Sequence, residues 1–222
     1  CNVSAYDTLT VQVTLNNPPV ANAGADQAIF QCTLTQICWT AGATDPDNNL
    51  SSVQLVSGAP GAYYLGGQIC FTPTQTWNYE FVLKATDACG AIDLDTVVIY
   101  YTLNAPPVAN AGSDQSLFQC TPTQICWPAS CADADGNLIS CSMISSPGSY
   151  DGTQICFTPT VSGSFQFILK STDACGATGY DTAVIQVTIN DAQVCHVPND
   201  TTIFQCSASQ ICLPAFATDA NG

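Results

Sequence analysis

Apolar and polar residues alternate one for one in short runs along this chain. Tyr79-Phe81-Leu83-Ala85 alternates with Glu80-Val82-Lys84, and Phe165-Phe167-Leu169 with Gln166-Ile168-Lys170. Leu9-Val11-Val13-Leu15, Val97-Ile99-Tyr101-Leu103 and Ala183-Ile185-Val187-Ile189 follow the same rule. Successive side chains of a strand point to opposite faces, so a period of two predicts strands buried on one side. No window of about 11 residues carries an apolar stripe at helical spacing. Turn clusters such as Ser57-Gly58-Ala59-Pro60-Gly61 interrupt the runs about every ten residues, the spacing of an all-β sandwich.

The pattern is also periodic over a longer distance. Pro18-Pro19-Val20-Ala21-Asn22-Ala23-Gly24 returns at Pro106 to Gly112, Phe30-Gln31-Cys32 returns at Phe118 and Phe204, and Gln36-Ile37-Cys38 returns at Gln124 and Gln210. Gln68 to Pro73 recurs at Gln154 to Pro159, and Asp87-Ala88-Cys89-Gly90 at Asp173 to Gly176. The unit is about 87 residues long, the size of one small sandwich domain. Aligned on these anchors, residues 17–104 and 105–190 form two full repeats, and 191–222 the first strands of a third. Residues 1–16 match the last strand of a preceding repeat, because Cys1 falls where Cys89 and Cys175 fall. About seven strands are expected per repeat: one through Phe30, then others beginning near Gln36, Leu50, Tyr63, Gln68, Tyr79 and Asp95. Pro106 and Pro107 stiffen the short linker between the full repeats.

Charge narrows the list of partners. There are 17 Asp and Glu against 2 Lys and Arg, for a net charge of −15. Nucleic acid and anionic membrane surfaces need Lys and Arg to neutralise phosphate, so both are excluded. No apolar stretch of about 18 residues is present, so no transmembrane helix is expected in this segment. His196 is the only histidine, too few for a triad or a histidine metal site, and the acidic residues recur in every repeat as catalytic groups rarely do. The chain reads as a non-enzyme.

The 14 cysteines point to an oxidising compartment, because their spacing lacks the Cys-x2-Cys pairs of zinc sites. The first full repeat holds Cys32, Cys38, Cys70 and Cys89; the second holds Cys120, Cys126, Cys156 and Cys175 in the same places, plus Cys131 and Cys141. Cys131 and Cys141 flank an Asp-Gly turn and are expected to bridge each other. An even count suggests that each repeat closes its own bridges. Two pairings compete: Cys32 with Cys38 and Cys70 with Cys89, or Cys38 with Cys70 on neighbouring strands. Cys206 and Cys212 continue the series in the third repeat. Cys195 stands where the other repeats have Ala21 and Ala109, its partner lying further along the third repeat or on another chain.

Pro18 to Gln27 and Pro106 to Gln115 (Pro-Pro-Val-Ala-Asn-Ala-Gly-x-Asp-Gln) resemble the opening of bacterial polycystin-type (PKD) and related cadherin-like immunoglobulin-fold repeats. The closing pattern Leu-Lys-x-Thr-Asp-Ala-Cys-Gly-Ala, at Leu83 and Leu169, resembles their last hairpin. The middle departs from the polycystin type, with cysteines in place of its aromatic core pattern. The resemblance implies an all-β array of tandem immunoglobulin-like β-sandwich domains at the cell surface or outside the cell. It leaves three roles open: a stalk, fibre or filament assembled from like repeats, an adhesive or glycan-binding array, or spacer repeats of a large secreted enzyme. For the second role Tyr63, Tyr64 and Trp77 are the aromatics expected at the surface, whereas Trp39 and Trp127 are expected in the core.

Asp45-x-Asp47-x-Asn49 and Asp133-x-Asp135-x-Asn137 follow the second strand of each repeat. The topology brings Asp87 and Asp173 towards them at one tip. Hard oxygens converging on a loop suit Ca2+, and the cadherin-like resemblance implies a site near the junction; Asp-Asn-Gly clusters also simply make turns. Asn2-Val3-Ser4 and Asn199-Asp200-Thr201 match the N-glycosylation pattern, at Asn2 and Asn199.

Overall fold

In a computed structural model, residues 1, 3–145 and 147–220 are described. They separate into two compact units, Cys1–Asn104 and Ala105–Gly222. Strands are the only regular elements among the described residues. The first unit contains β1 (Val20–Asn22), β2 (Gln27–Gln31), β3 (Ile37–Thr40), β4 (Gly42–Thr44), β5 (Leu50–Ser57), β6 (Tyr63–Leu65), β7 (Gln68–Phe71), β8 (Trp77–Asp87) and β9 (Ile92–Leu103). A four-stranded sheet in the order β2-β9-β8-β5 faces a three-stranded sheet, β3-β7-β6, and β1 pairs with β4. Both sheets turn their apolar face to one core. This is an immunoglobulin-like β-sandwich.

The second unit repeats the plan with β10 (Val108–Asn110), β11 (Gln115–Gln119), β12 (Ile125–Pro128), β13 (Ser130–Ala132), β14 (Leu138–Met143), β15 (Ser149–Tyr150), β16 (Gln154–Phe157), β17 (Gly163–Asp173) and β18 (Thr178–Ile189). Its sheets are β11-β18-β17-β14 and β12-β16-β15, with β10 paired to β13. Beyond them β19 (Val194–His196) pairs with β20 (Phe216–Thr218), equivalent to β1 with β4.

Each repeat thus has nine strands rather than the seven expected, because the first two expected strands are each broken. The first pairs with β4 as β1, crosses over between Ala23 and Asp26, and continues as β2 in parallel with β9, Gln27 opposite Ile99. Gly24, at φ 99°, makes the crossing. A second difference concerns residues 1–16, expected to form a last strand: the described ones form none, and Leu9, Val11, Val13 and Leu15 are exposed.

The core of the first unit centres on Phe71, Phe81, Ile69, Leu83, Val97, Ile99 and Tyr101, with Trp39 packed against them. Trp39 and Phe81 stack edge-on at 5.1 Å, and Phe71 and Phe81 lie 4.7 Å apart. Phe157, Phe167 and Trp127 reproduce the arrangement in the second unit. Burying each of these large side chains stabilises the domain by about 1.5–3 kcal/mol.

The indole of Trp39 is buried and must find an acceptor. It donates to the Ala23 carbonyl at 2.7 Å, and Trp127 donates to the Ala111 carbonyl at 2.7 Å. The motif Ala-Asn-Ala-Gly is built around that bond. Asn22 Oδ1 accepts from the Gly24 N–H at 2.9 Å, and Asn110 does the same for Gly112. A Cβ on Gly24 would lie 2.9 Å from Trp39 Cδ1, and one on Gly112 2.7 Å from Trp127 Cδ1. Gly112→Ala combines that overlap with a φ of 90°, so it is expected to destabilise the second repeat by more than about 1 kcal/mol. Denaturant titration would read this as a lower midpoint; an unchanged midpoint would show that the indole and the turn yield freely.

Candidate functional site

The ionisable side chains of each repeat fall into two groups, and one was not foreseen from the sequence. Asp93 and Asp95 are strand residues of β9. Asp93 accepts from the Ala21 N–H at 2.8 Å and Asp95 from the Ala23 N–H at 2.7 Å. Asp26 returns the gesture, accepting from Val98 N–H at 2.8 Å. Asp181 and Asp114 serve Ala111 and Val184 in the second repeat at 2.7 and 2.8 Å. Carboxylates therefore satisfy backbone donors where the first strand leaves one sheet for the other. The counterpart of Asp93 is Gly179, where a Cβ would collide with the Pro107 carbonyl.

The second group is the acidic cluster at the tip where the chain enters each repeat. The loops do meet there, as expected: Ala88 N–H donates to the Asn49 carbonyl and Ala174 N–H to the Asn137 carbonyl, both at 2.9 Å. The carboxylates, however, face N–H donors. Asp45 Oδ1 accepts from Asp47 N–H at 2.8 Å, and Asp133 Oδ1 from Asp135 N–H at 2.8 Å. Asp47 accepts from the Asn17 N–H at 2.5 Å, and Asp135 from the Ala105 N–H at 2.6 Å. Asp87, 2% exposed, accepts from Ala91 N–H at 2.8 Å and from the Asn16 amide at 2.7 Å. Asp173 is fully buried and accepts from Ala177 N–H at 2.8 Å. The Asn49 amide donates to Asn16 Oδ1 at 2.7 Å.

This donor set does not fit a calcium cage. Among the described residues no three or more His, Cys, Asp or Glu side chains gather to hold a metal ion. Oxygens already aimed at backbone N–H groups offer little of the six- to eight-fold oxygen shell that calcium takes. A chelator is expected to leave the melting temperature unchanged in scanning calorimetry. A rise on adding calcium would place the ion back at Asp45, Asp47, Asn49 and Asp87.

Hydrogen bonding also sets the acid response. The Asn16 amide holds the Asp87 carboxyl below its ordinary range, against the opposing effect of burial. Asp151, in the turn before β16, accepts from the N–H groups of Thr153 and Gln154 at 2.8 and 2.9 Å and is pulled down to about 2. Both are lower folded than unfolded, so their stabilisation is complete above pH about 4 and is lost as pH falls towards 2. Thermal melting should stay level from pH 7 to about 4 and then fall, with Asp151→Asn flattening the acid limb of the second repeat. A flat profile down to pH 2 would remove these carboxylates from the account.

Cys38 is bridged to Cys70 and Cys126 to Cys156, each with Cα atoms 4.2 Å apart. They are directly opposed residues of β3–β7 and β12–β16, at the close spacing of an antiparallel ladder. The local pairing of Cys32 with Cys38 is therefore not formed: neighbouring strands prevail over sequence proximity. Cys131 and Cys141 join β13 to β14 at a Cα distance of 5.9 Å. Cys32 is a half-cystine, and so is Cys175. Cys89, Cys120, Cys206, Cys212, Cys195 and Cys1 are exposed thiols. The expectation that each repeat closes its own bridges fails at Cys89 and Cys120. Cys206 and Cys212 lie in residues 197–215, which form no strand.

Trp39 and Trp127 are core residues, while Trp77 is 61% and Tyr63 43% exposed; Tyr64 is half-buried against the core. His196 stacks on Phe216 and bonds to Thr218 on the surface. Asn199 is exposed, and Asn2 lies outside the described residues. A shallow cleft of about 340 Å³ at the entry tip is lined by Thr14, Leu15, Asn16, Asp47, Asn49 and Cys89.

No known protein family matches the chain by sequence, and no curated protein does. Solved structures match by fold. The extracellular cadherin domains 1–4 of protocadherin gamma B7 align over 91% of this chain and 59% of that one, with 14% identity and a TM-score of 0.60. Mouse cadherin-23 EC22–24 aligns over 78% of this chain and 65% of that one, with 18% identity and a TM-score of 0.51. This chain spans less than two thirds of either. The shared feature is the fold: tandem immunoglobulin-like, cadherin-like sandwiches.

Proposed function

We propose that this chain is a segment of an extracellular, non-catalytic repeat protein of the polycystin-type group, serving as a cell-surface stalk, fibre or filament. One observation carries the reading. The same carboxylates in both repeats, Asp26 and Asp114, Asp47 and Asp135, Asp87 and Asp173, Asp95 and Asp181, accept backbone N–H groups of their own repeat. Groups committed in this way hold the scaffold. The bridges of β3–β7 and β12–β16 add about 2–4 kcal/mol each to domains of modest core size, and they suit an oxidising exterior. Repeats or further copies of the chain are the natural partners, and a net charge of −15 keeps them soluble until contacts offset the repulsion.

Native material is expected to appear in negative-stain electron microscopy as long, thin, unbranched fibres or stalks. Compact isolated particles would count against assembly.

A glycan-binding role is the second reading, favoured by Trp77, which is exposed between Thr76 and Asn78 beside a shallow depression. The second repeat has Gly163 at that place, so the feature belongs to one repeat alone. Glycan-array binding abolished by Trp77→Ala would support this reading over a purely structural one.

A further inference from the structure

The carboxylates of the second repeat leave one face of its sandwich bare. Residues 105–190 carry six Asp and one Lys. Asp173 and Asp181 stand on the four-stranded sheet but turn inward, Asp173 fully buried and Asp181 accepting from the Ala111 N–H at 2.7 Å. Asp133, Asp135 and Asp151 lie in loops, and Asp114, just before β11, is turned onto the Val184 N–H at 2.8 Å. Ser, Thr and Gln fill most outward positions of β11, β18, β17 and β14, with Phe118, Ile168, Tyr180 and Val184 among them. Phe118 is 58% and Tyr180 57% exposed. Lys170 is the one ionised side chain on this face, its ammonium over the Tyr180 ring.

In a chain of net charge −15, two copies repel wherever their carboxylates approach each other. The outer face of this sheet is where they can meet without that cost. A basic partner would be drawn to the acidic loops instead, whereas a second copy presenting the same face keeps its carboxylates out of the contact. The size is sufficient as well. Strands of 5, 12, 11 and 6 residues make a face of about 500 Å² at 3.3 Å per residue and 4.8 Å between strands. Two such faces bury about 1,000 Å² in total, the area at which specific interfaces begin.

We propose that the outer face of the β11-β18-β17-β14 sheet binds the same face of a second copy of this chain, about a two-fold axis at Val184 that reverses the strand direction. Tyr180 and Thr188 lie equally far from Val184 along β18, and Thr188 is the residue opposite Phe118. The axis therefore brings Phe118 of one copy to the Tyr180 end of the other, where the rings can pair. It also holds the two Lys170 ammonium groups about 26 Å apart along the strands, so the cations do not oppose each other. The proposal rests on the reading of like chains that assemble. Its test is read from pairs in solution and not from fibres, so either can fail alone.

The test is sedimentation velocity of the 222-residue chain at rising concentration, compared with two variants that add the same charge in different places. Thr182 is exposed on this face, opposite Ile168, and Thr158 is exposed beyond the end of β16 in the other sheet. Thr182→Asp should weaken pairing about tenfold or more, because the two-fold puts two new carboxylates into one contact. Thr158→Asp should pair as the unchanged chain does, and matching melting temperatures would show both variants folded. On the unchanged chain, acetylation of Lys170 followed by mass spectrometry should slow as concentration rises. A chain that stays monomeric, equal effects of the two variants, or a Lys170 acetylation rate independent of concentration would each overturn the proposal.

Discussion

Each full repeat depends on one buried hydrogen bond, from an indole N–H in the core to the carbonyl of the strand that crosses between sheets. A buried indole without an acceptor costs about 1–3 kcal/mol, so Trp39 fixes where Ala23 must lie, and Trp127 does so for Ala111. The rest follows from that constraint. The crossing strand has to turn under the ring, which calls for Gly24 at a positive φ and an Asn two residues earlier to hold the turn. Its stranded N–H groups then need acceptors, and the carboxylates of the last strand supply them. The third repeat gives an internal control: Leu213 stands in the Trp39 place, and Pro198 stands where Gly24 would be. With no indole to serve, the glycine is gone as well.

The alternating runs made the sandwich legible in the sequence, because period two directly reports which face of a strand is buried. Tyr79 to Ala85 and Val97 to Tyr101 are found as read. The breaks in the first two strands were not legible, since a strand that changes sheets keeps its alternation and betrays itself only through a glycine. Asp93 and Asp95 were hidden for a related reason. A polar residue at an alternating position looks solvent-facing, and nothing local shows that a strand some 72 residues earlier in sequence brings its N–H groups there. The acidic loops were placed correctly at one tip, but sequence cannot distinguish a carboxylate aimed at a cation from one aimed at an amide.

The charge balance takes on a different meaning in this light. With 17 acidic and 2 basic side chains, the chain cannot build a network of ion pairs. Its carboxylates accept charge-assisted hydrogen bonds from backbone N–H groups instead, which need no cationic partner and are stronger than neutral ones. Lys170 lies over the Tyr180 ring, 5.7 Å from its centroid. An acidic surface and a hydrogen-bonded acidic scaffold are thus compatible in one domain.

The placement of strands and bridge bears on how a single repeat carries tension. Load that enters at β1 and leaves at the end of β9 must be held by the five-residue parallel ladder between β2 and β9. Pulling those strands from opposite ends loads their bonds in shear, all together, and the bridge between β3 and β7 lies in the other sheet, off that path.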